Sequence, residues 1–266
     1  MNKLLATALL GSVIAFFVLD GDKKFTALVG GAPASATQST SETASGDAVV
    51  TSKKSTKKKK IVVPPIDSGA PRRVIVGLDF SSSNPLVVDA PYARKVGARI
   101  RDEFETLAFR SEVRIRTFGA YDSSSNPFSY DATISTKQRP EVLGRDMETF
   151  ITNIPLLVKQ GKMETQPYTN ILAFLEELAI ELDCSTLPTQ IILVTDGVED
   201  SEYVRLKYRD AKLPRPKKIF SGCYELQMLG VGRGIDSVTE TARIRKEWKD
   251  WAKRAGFKKF KAVNDW

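Results

Sequence analysis

Oxygen-bearing side chains follow two apolar segments of this sequence. The first segment, residues 73–78, is followed by Asp79, Ser81 and Ser83, in the spacing Asp-x-Ser-x-Ser. The second, residues 191–195, is followed by Asp196. Carboxylate and hydroxyl oxygens are the ligands that a small hard cation such as Mg²⁺ prefers. If the two segments are neighbouring parallel strands, their side chains meet at one edge of a sheet and form a candidate metal site.

From about residue 71 onward, segments with strand character alternate with segments of helical periodicity. This alternation predicts an α/β fold, a doubly wound and mostly parallel six-stranded sheet with helices on both faces. The predicted strands are Arg73–Asp79, Glu112–Phe118, Ser129–Ser135 as a short edge strand, Gln190–Thr195, Glu225–Gly230 and Lys259–Val263. The predicted helices are one opened by Asp89 and Pro91, Arg145–Val158, Asn170–Leu182, Ser201–Ala211, and one from Asp236 or Ser237 to Ala255.

Ligands of doubly wound sheets bind at the carboxyl ends of the strands, where the strand order reverses. The first and fourth strands flank that point, and the loop 162–170 between them offers Thr165 and Thr169. A cation there would contact hydroxyl groups directly, with the aspartates alongside or acting through water. Because such a site has little direct negative charge, the metal would seek an anionic ligand from outside.

The types and order of these residues resemble those of the metal-binding motif in the von Willebrand factor A (vWA) domain family. Its metal-ion-dependent adhesion site consists of Asp-x-Ser-x-Ser, a later Thr and an Asp after the fourth strand. The matching residues here are Asp79, Ser81, Ser83, Thr169 and Asp196. The sequence Thr-Asn-Ile at 169–171 is similar to the start of a helix in that family, which favours Thr169 over Thr165. Ser82 and Asn84-Pro85 depart from the family pattern, and these departures concern the shape of the loop more than the ligands.

The resemblance implies that residues 71–266 bind another protein through Mg²⁺, or through Mn²⁺ or Ca²⁺, with an Asp or Glu of the partner completing the metal sphere. Two alternatives stay open, a metal-dependent hydrolase and a scaffold whose metal site is vestigial. The chain has no histidine, which excludes histidine-based acid–base catalysis, and no general base is evident. We therefore expect a binding module rather than an enzyme.

The segments before residue 71 are expected to attach the domain to a membrane. Sixteen uncharged residues, 4–19, lie between Lys3 and Asp20. This length favours an uncleaved signal anchor within residues 1–24, with a cleaved signal peptide as the alternative. Residues 25–70, rich in Ser, Thr, Ala and Lys, read as a flexible linker. We expect a membrane-anchored protein with a periplasmic or extracellular domain, although the lysines around the apolar segment leave the orientation open.

The basic charge of the chain is concentrated in its linker. The formal net charge is +8, and six lysines within residues 53–60 contribute six of those charges. Residues 71–266 carry 31 Lys and Arg against 27 Asp and Glu. This mild excess gives no reason to expect nucleic-acid binding. We expect the basic cluster Lys253, Arg254, Lys258, Lys259 and Lys261 to be a solvated surface, and the pair Glu199-Asp200 likewise.

The two cysteines, Cys184 and Cys223, precede the fourth and fifth predicted strands. If these strands are neighbours, both sulfurs lie near the end of the sheet opposite the metal. A disulfide between them is then geometrically reasonable and would favour an oxidising compartment. Two buried free thiols are the alternative.

Overall fold

The structure, a computed structural model, describes residues 69–120, 126 and 128–266. The predicted anchor at residues 1–24 and nearly all of the predicted linker at 25–70 lie outside these described residues. Within the described part of the chain, no helix combines the length and apolar character that crossing a membrane requires.

Six strands form one mixed sheet, which confirms the predicted α/β architecture. The strands are β1 (Arg73–Asp79), β2 (Glu112–Phe118), β3 (Ser129–Thr133), β4 (Thr189–Val194), β5 (Glu225–Leu229) and β6 (Lys259–Val263). Their spatial order is β3-β2-β1-β4-β5-β6. The edge strand β3 runs antiparallel to β2, and all the other pairs are parallel. The strand order therefore reverses between β1 and β4.

In the residues that the structure describes, five helices connect and cover the strands. They are α1 (Pro85–Val88), α2 (Ala90–Glu105), α3 (Pro140–Lys159), α4 (Ile171–Glu181) and α5 (Val238–Ala255). The Asp89 side chain caps α2 by accepting a hydrogen bond from the Tyr92 N–H at 3.1 Å. The Ser237 hydroxyl caps α5 by accepting one from the Glu240 N–H at 3.2 Å. Asp and Ser are among the residue types that are preferred at the N-cap position of helices.

Three elements differ from the predicted ones. The predicted helix Ser201–Ala211 is wrong, because this segment forms turns fixed by bridges of Asp200 to Thr169 and to Arg205. Helix α3 starts at Pro140, five residues before the predicted start, because a proline fits the first helical turn. The short helix α1 was not predicted, and it begins where the Asn84 side chain accepts from the Leu86 N–H at 2.9 Å.

The sheet separates two apolar cores, so β1 is buried along its whole length. One core packs α4 and α5 against one face, and the other packs α1, α2 and α3 against the opposite face. Gly77 of β1 allows α4 to approach closely, since a Cβ there would lie 2.7 Å from a ring carbon of Phe174 and 2.7 Å from Leu193. The position of α4 matters because Thr169 lies just before its first residue.

Cys184 and Cys223 form a disulfide in the structure, at a sequence separation of 39. Both side chains are buried in the core that contains α4 and α5. The bond lies near the amino ends of β4 and β5, opposite the edge where Asp79 and Asp196 lie. It links the chain before β4 to the chain before β5, so it restricts the unfolded state across that span.

Replacing both cysteines with Ala should lower the free energy of unfolding by about 4 kcal/mol, the value that the chain-entropy model gives for a loop of this length. Urea unfolding of the oxidised protein and of the Cys184→Ala/Cys223→Ala variant measures the difference. Reduced wild-type protein is the matched control, because it keeps both sulfurs and loses only the covalent link. Equal stability of oxidised and reduced wild type would contradict the prediction.

Candidate metal-binding site

The carboxyl ends of β1 and β4 lie side by side, as the sequence predicted. Leu78 is in register with Val194, so the residues that follow these two strands emerge at the same edge. Asp79 ends β1, and Thr195 and Asp196 directly follow β4. The strand neighbours thus bring together the two predicted carboxylates from positions more than one hundred residues apart in sequence.

Asp79 is completely buried, and both of its carboxylate oxygens accept hydrogen bonds. Oδ1 accepts from the Ser81 N–H at 2.9 Å, and Oδ2 accepts from the Thr195 hydroxyl at 2.7 Å. Burial raises the pKa of Asp79 above its ordinary value, while the hydrogen bonds from Ser81 and Thr195 oppose this increase. Thr195, which was not among the predicted site residues, links the two strand ends through this hydrogen bond.

The two serine hydroxyls of the motif lie next to each other. Ser81 Oγ and Ser83 Oγ are 3.5 Å apart. Ser81 is 2% exposed, whereas Ser83 is exposed. The hydroxyl pair therefore extends from the buried carboxylate of Asp79 toward solvent, where a molecule from outside can reach it.

Backbone hydrogen bonds hold the threonine-bearing loop against the motif. The Gln166 N–H donates to the Phe80 carbonyl at 2.8 Å, and the Ser82 N–H donates to the Gln166 carbonyl at 2.9 Å. Thr169 is 4% exposed, and its backbone pairs with Asp200 in the loop after β4. Thr165 precedes Gln166 directly, so both candidate threonines belong to the loop that lies at this edge.

Asp196 is 8% exposed, and its Oδ1 accepts a hydrogen bond from the Val198 N–H at 2.8 Å. Burial, followed by the negative charge of Asp79, raises the pKa of Asp196 to about 7. In the described part of the chain, neither aspartate has a Lys or Arg partner within 4.0 Å. Two buried carboxylates that repel each other without a cationic side chain provide a suitable environment for a divalent cation.

The donors at this edge are mostly hydroxyls. Among the described residues, no three or more His, Cys, Asp or Glu side chains are grouped so that they could hold a metal ion. A cation bound here would thus rely on Ser and Thr oxygens in addition to Asp79 and Asp196. This donor set suits Mg²⁺, which usually retains waters and takes few direct carboxylates.

Glu199 is buried in this region, so the expectation that it is solvated was wrong. Its Oε2 accepts hydrogen bonds from the Ile171 N–H at 2.9 Å and the Leu172 N–H at 3.2 Å. These are the first N–H groups of α4, whose own N-cap residue Asn170 makes no capping bond. Helix α4 therefore takes its cap from the loop after β4. No local pattern in the sequence indicated this external cap, because Asn170 is itself a residue type favoured at the N-cap position.

Burial raises the pKa of Glu199 to about 8, well above its ordinary 4.5. Asp200, in contrast, is partly exposed and forms ion pairs with Arg205 and Lys207. The adjacent acids thus have different roles, one capping a helix in the interior and the other pairing with cations at the surface.

Replacing Glu199 with Gln should remove part of the pH dependence of stability. A carboxyl whose pKa is higher in the folded than in the unfolded state stabilises the fold below about pH 4.5, and this contribution is lost as pH rises through about 8. The wild type should lose on the order of 5 kcal/mol across that range through this group. Glu199→Gln, which keeps a carbonyl oxygen for the α4 N–H groups, should not.

Urea unfolding in EDTA at several pH values measures this difference, and Glu202→Gln provides the control because Glu202 is an exposed acid nearby. Since Asp79 and Asp196 also have raised pKa values, the informative quantity is the difference between wild type and variant. A difference that stays constant from pH 5 to pH 8 would contradict a buried, titrating Glu199.

Comparisons with known proteins give only remote similarities. No family model matches the chain, and no curated protein matches it. Among solved structures, it is similar to the ArnB paralog VWA2 from Sulfolobus acidocaldarius, with 14% identity over 75% of this chain and 43% of that chain and a TM-score of 0.40. It is also similar to an aerotolerance-related membrane protein from Bacteroides fragilis, with 16% identity over 72% of this chain and 91% of that chain and a TM-score of 0.39. BatB from Bacteroides thetaiotaomicron matches with 14% identity over 73% of this chain and 91% of that chain, also with a TM-score of 0.39. This chain thus spans less than half of the first of these proteins.

Proposed function

We propose that residues 71–266 form a metal-dependent protein-binding domain of the vWA type, tethered to a membrane by the N-terminal segment. Asp79, Ser81, Ser83, Thr169 and Asp196 would hold Mg²⁺, directly or through water. The ion would supply an electrophilic centre for a carboxylate of the partner protein. The residues of this chain would orient the ion and keep the neighbouring loops in place.

The observation that carries this proposal is the pairing of two buried carboxylates with a hydroxyl pair at one sheet edge. Asp79 is fixed by Ser81 and Thr195, and burial together with the negative charge of Asp79 raises the pKa of Asp196. Such an arrangement is unfavourable without a compensating positive charge. A divalent cation would compensate it, and protonation of an aspartate would do so in the absence of metal.

A partner can approach the site from the solvent side. Ser82 and Ser83 are exposed, and Tyr168, next to Thr169, is 54% exposed. Tyrosine is enriched at the centre of protein interfaces, where it buries a large apolar area and keeps a polar tip. We therefore expect the acidic residue of the partner to lie beside an apolar group that packs on Tyr168.

Ser83→Ala should weaken Mg²⁺ binding by about tenfold or more, the range seen when a group that supports a metal site is removed. Ser82→Ala should change it by less than about twofold, because only the backbone N–H of Ser82 bonds to Gln166. Isothermal titration of the metal-free full-length protein with MgCl₂ measures both variants. Equal losses in the two variants, or no Mg²⁺ binding by the wild type, would contradict the proposed ligands.

Partner capture should depend on the metal. Immobilised wild-type protein should retain a partner in Mg²⁺, release it in EDTA and recapture it when Mg²⁺ is restored. Asp79→Asn should capture little in any buffer, while its thermal unfolding shows that the fold survives. The amide keeps an oxygen for the Ser81 N–H but loses the charge that attracts the ion. If the same proteins are retained in EDTA as in Mg²⁺, the proposal is overturned.

A further inference from the structure

The sheet edge opposite the candidate metal site carries a cluster of exposed cations. The parallel strands start at this edge, and helix α5 ends there at Ala255. We call this cluster the basic edge, and it comprises Lys217, Lys218, Lys253, Arg254, Lys258 and Lys259, all of them exposed. In the described part of the chain, no carboxylate lies within 4.0 Å of any of these six side chains.

Backbone contacts bring the two segments of the basic edge together. The Phe220 N–H donates to the Ala255 carbonyl at 2.9 Å, just after the two cations in the last turn of α5. The Ser221 hydroxyl donates to the Lys218 carbonyl at 3.2 Å. On the other side, the Lys258 N–H donates to the Cys223 carbonyl at 3.3 Å. Residues separated by about forty positions thus form one surface beside the disulfide.

Tyr224 lies beneath two of these lysines. The Nζ atoms of Lys258 and Lys259 are 5.1 Å and 4.8 Å from the centre of its ring. Tyr224 is 8% exposed, so its ring is shielded from solvent. The ring attracts the two ammonium groups through cation–π interactions and holds them at the surface. Among the described residues, neither ammonium group has an ion pair within 4.0 Å, although Glu225, the register partner of Lys259 on β5, attracts Lys259 from a greater distance. Both groups are therefore available to an external anion.

Positive and negative side chains are distributed unevenly along the domain sequence. Residues 205–261 carry 17 Lys and Arg and 6 Asp and Glu, whereas residues 71–204 carry 14 and 20. The mild overall excess therefore conceals a strongly cationic C-terminal part. The basic cluster that we expected to be a solvated surface did not contain Lys217 and Lys218. The fold places these two lysines beside it.

We propose that the basic edge docks onto an anionic phospholipid surface. Strand β1 starts at this edge, so the polypeptide that precedes the domain joins it here, and that polypeptide contains six lysines within residues 53–60. Clusters of Lys and Arg near a bilayer bind acidic lipid headgroups through charge attraction. The inference uses the membrane tether of the proposed function only to explain how the lipid comes within reach, and it is independent of the metal.

A nucleic acid is the competing anion, and the surface favours lipid. Single-stranded nucleic acids are bound by exposed aromatic side chains interleaved with cations, whereas the aromatic residues next to the basic-edge cations, Phe220, Tyr224 and Phe257, are buried. Helical segments that enter a DNA groove present polar and basic side chains along the helix, but in α5 Lys246 is already paired with Asp250, which interrupts the basic face before the last turn. A broad surface of flexible lysines matches a planar array of headgroups.

Lysine footprinting on the full-length protein tests this proposal. The protein is mixed with vesicles of phosphatidylcholine, or with vesicles in which phosphatidylglycerol replaces about a third of the lipid. Brief acetylation followed by mass spectrometry then gives the reactivity of each lysine. On the anionic vesicles, Lys217, Lys218, Lys258 and Lys259 should react at least about threefold more slowly than on neutral ones. Raising the salt to about 0.5 M should abolish this protection.

Matched variants separate a surface effect from a general charge effect. Lys217→Gln/Lys218→Gln should reduce the protection of Lys258, because it removes two charges from the same edge. Lys159→Gln/Lys162→Gln removes the same charge from the end of α3 and should leave the protection of Lys258 unchanged. In the wild type, Lys159 and Lys162 should react equally on both kinds of vesicle.

Each outcome supports or overturns the proposal. Equal reactivity of the basic edge on neutral and anionic vesicles would overturn it, including the case in which the protein does not associate with vesicles. Protection by a DNA duplex but not by anionic vesicles would also overturn it and would assign the surface to nucleic acid. Protection should persist in EDTA, so the failure of this inference and the failure of the metal site are observed separately.

Discussion

The hydrogen bond from Thr195 to Asp79 is the interaction on which the candidate site depends. It is buried and charge-assisted, and it joins the end of β1 to the end of β4 where the strand order reverses. Because the same carboxylate also accepts from the Ser81 N–H, the turn that carries the two serines is fixed to the neighbouring strand. These bonds offset part of the cost of burying this carboxylate, although burial still raises its pKa.

Two further contacts extend this constraint to the third loop of the site. Gln166 binds the motif turn through its backbone, and Glu199 caps the helix that follows Thr169. The loop after β4 thus fixes Asp196 and the start of α4 together. Since all three loops are bonded to one another through protein groups, binding of the proposed ion would require little ordering of the chain, which would favour affinity.

The sequence predicted the strands and their adjacency well, because an apolar run such as β1 is expected only where both faces of a sheet are covered. It did not predict the burial of Glu199 or the turns that replace the helix predicted at Ser201–Ala211. Both depend on the pairing of Asp200 with Thr169, which are distant in sequence and become neighbours only after the sheet has formed. Local patterns contain no information about such contacts. The identity of Thr169 as a ligand, in preference to Thr165, still depends on the resemblance.

The two functional edges proposed for this domain lie at opposite ends of the same strands, and this arrangement has an electrostatic reason. A cationic surface next to Asp79 and Asp196 would compete with a divalent ion for their charge and would weaken its binding. At the opposite end of the sheet, the attraction between the basic edge and the carboxylates is screened by water and salt. A domain held at a lipid surface by its basic edge would also present the metal edge away from that surface, toward a partner in solution. The parallel sheet provides this geometry directly, because all of its parallel strands start at one edge and end at the other.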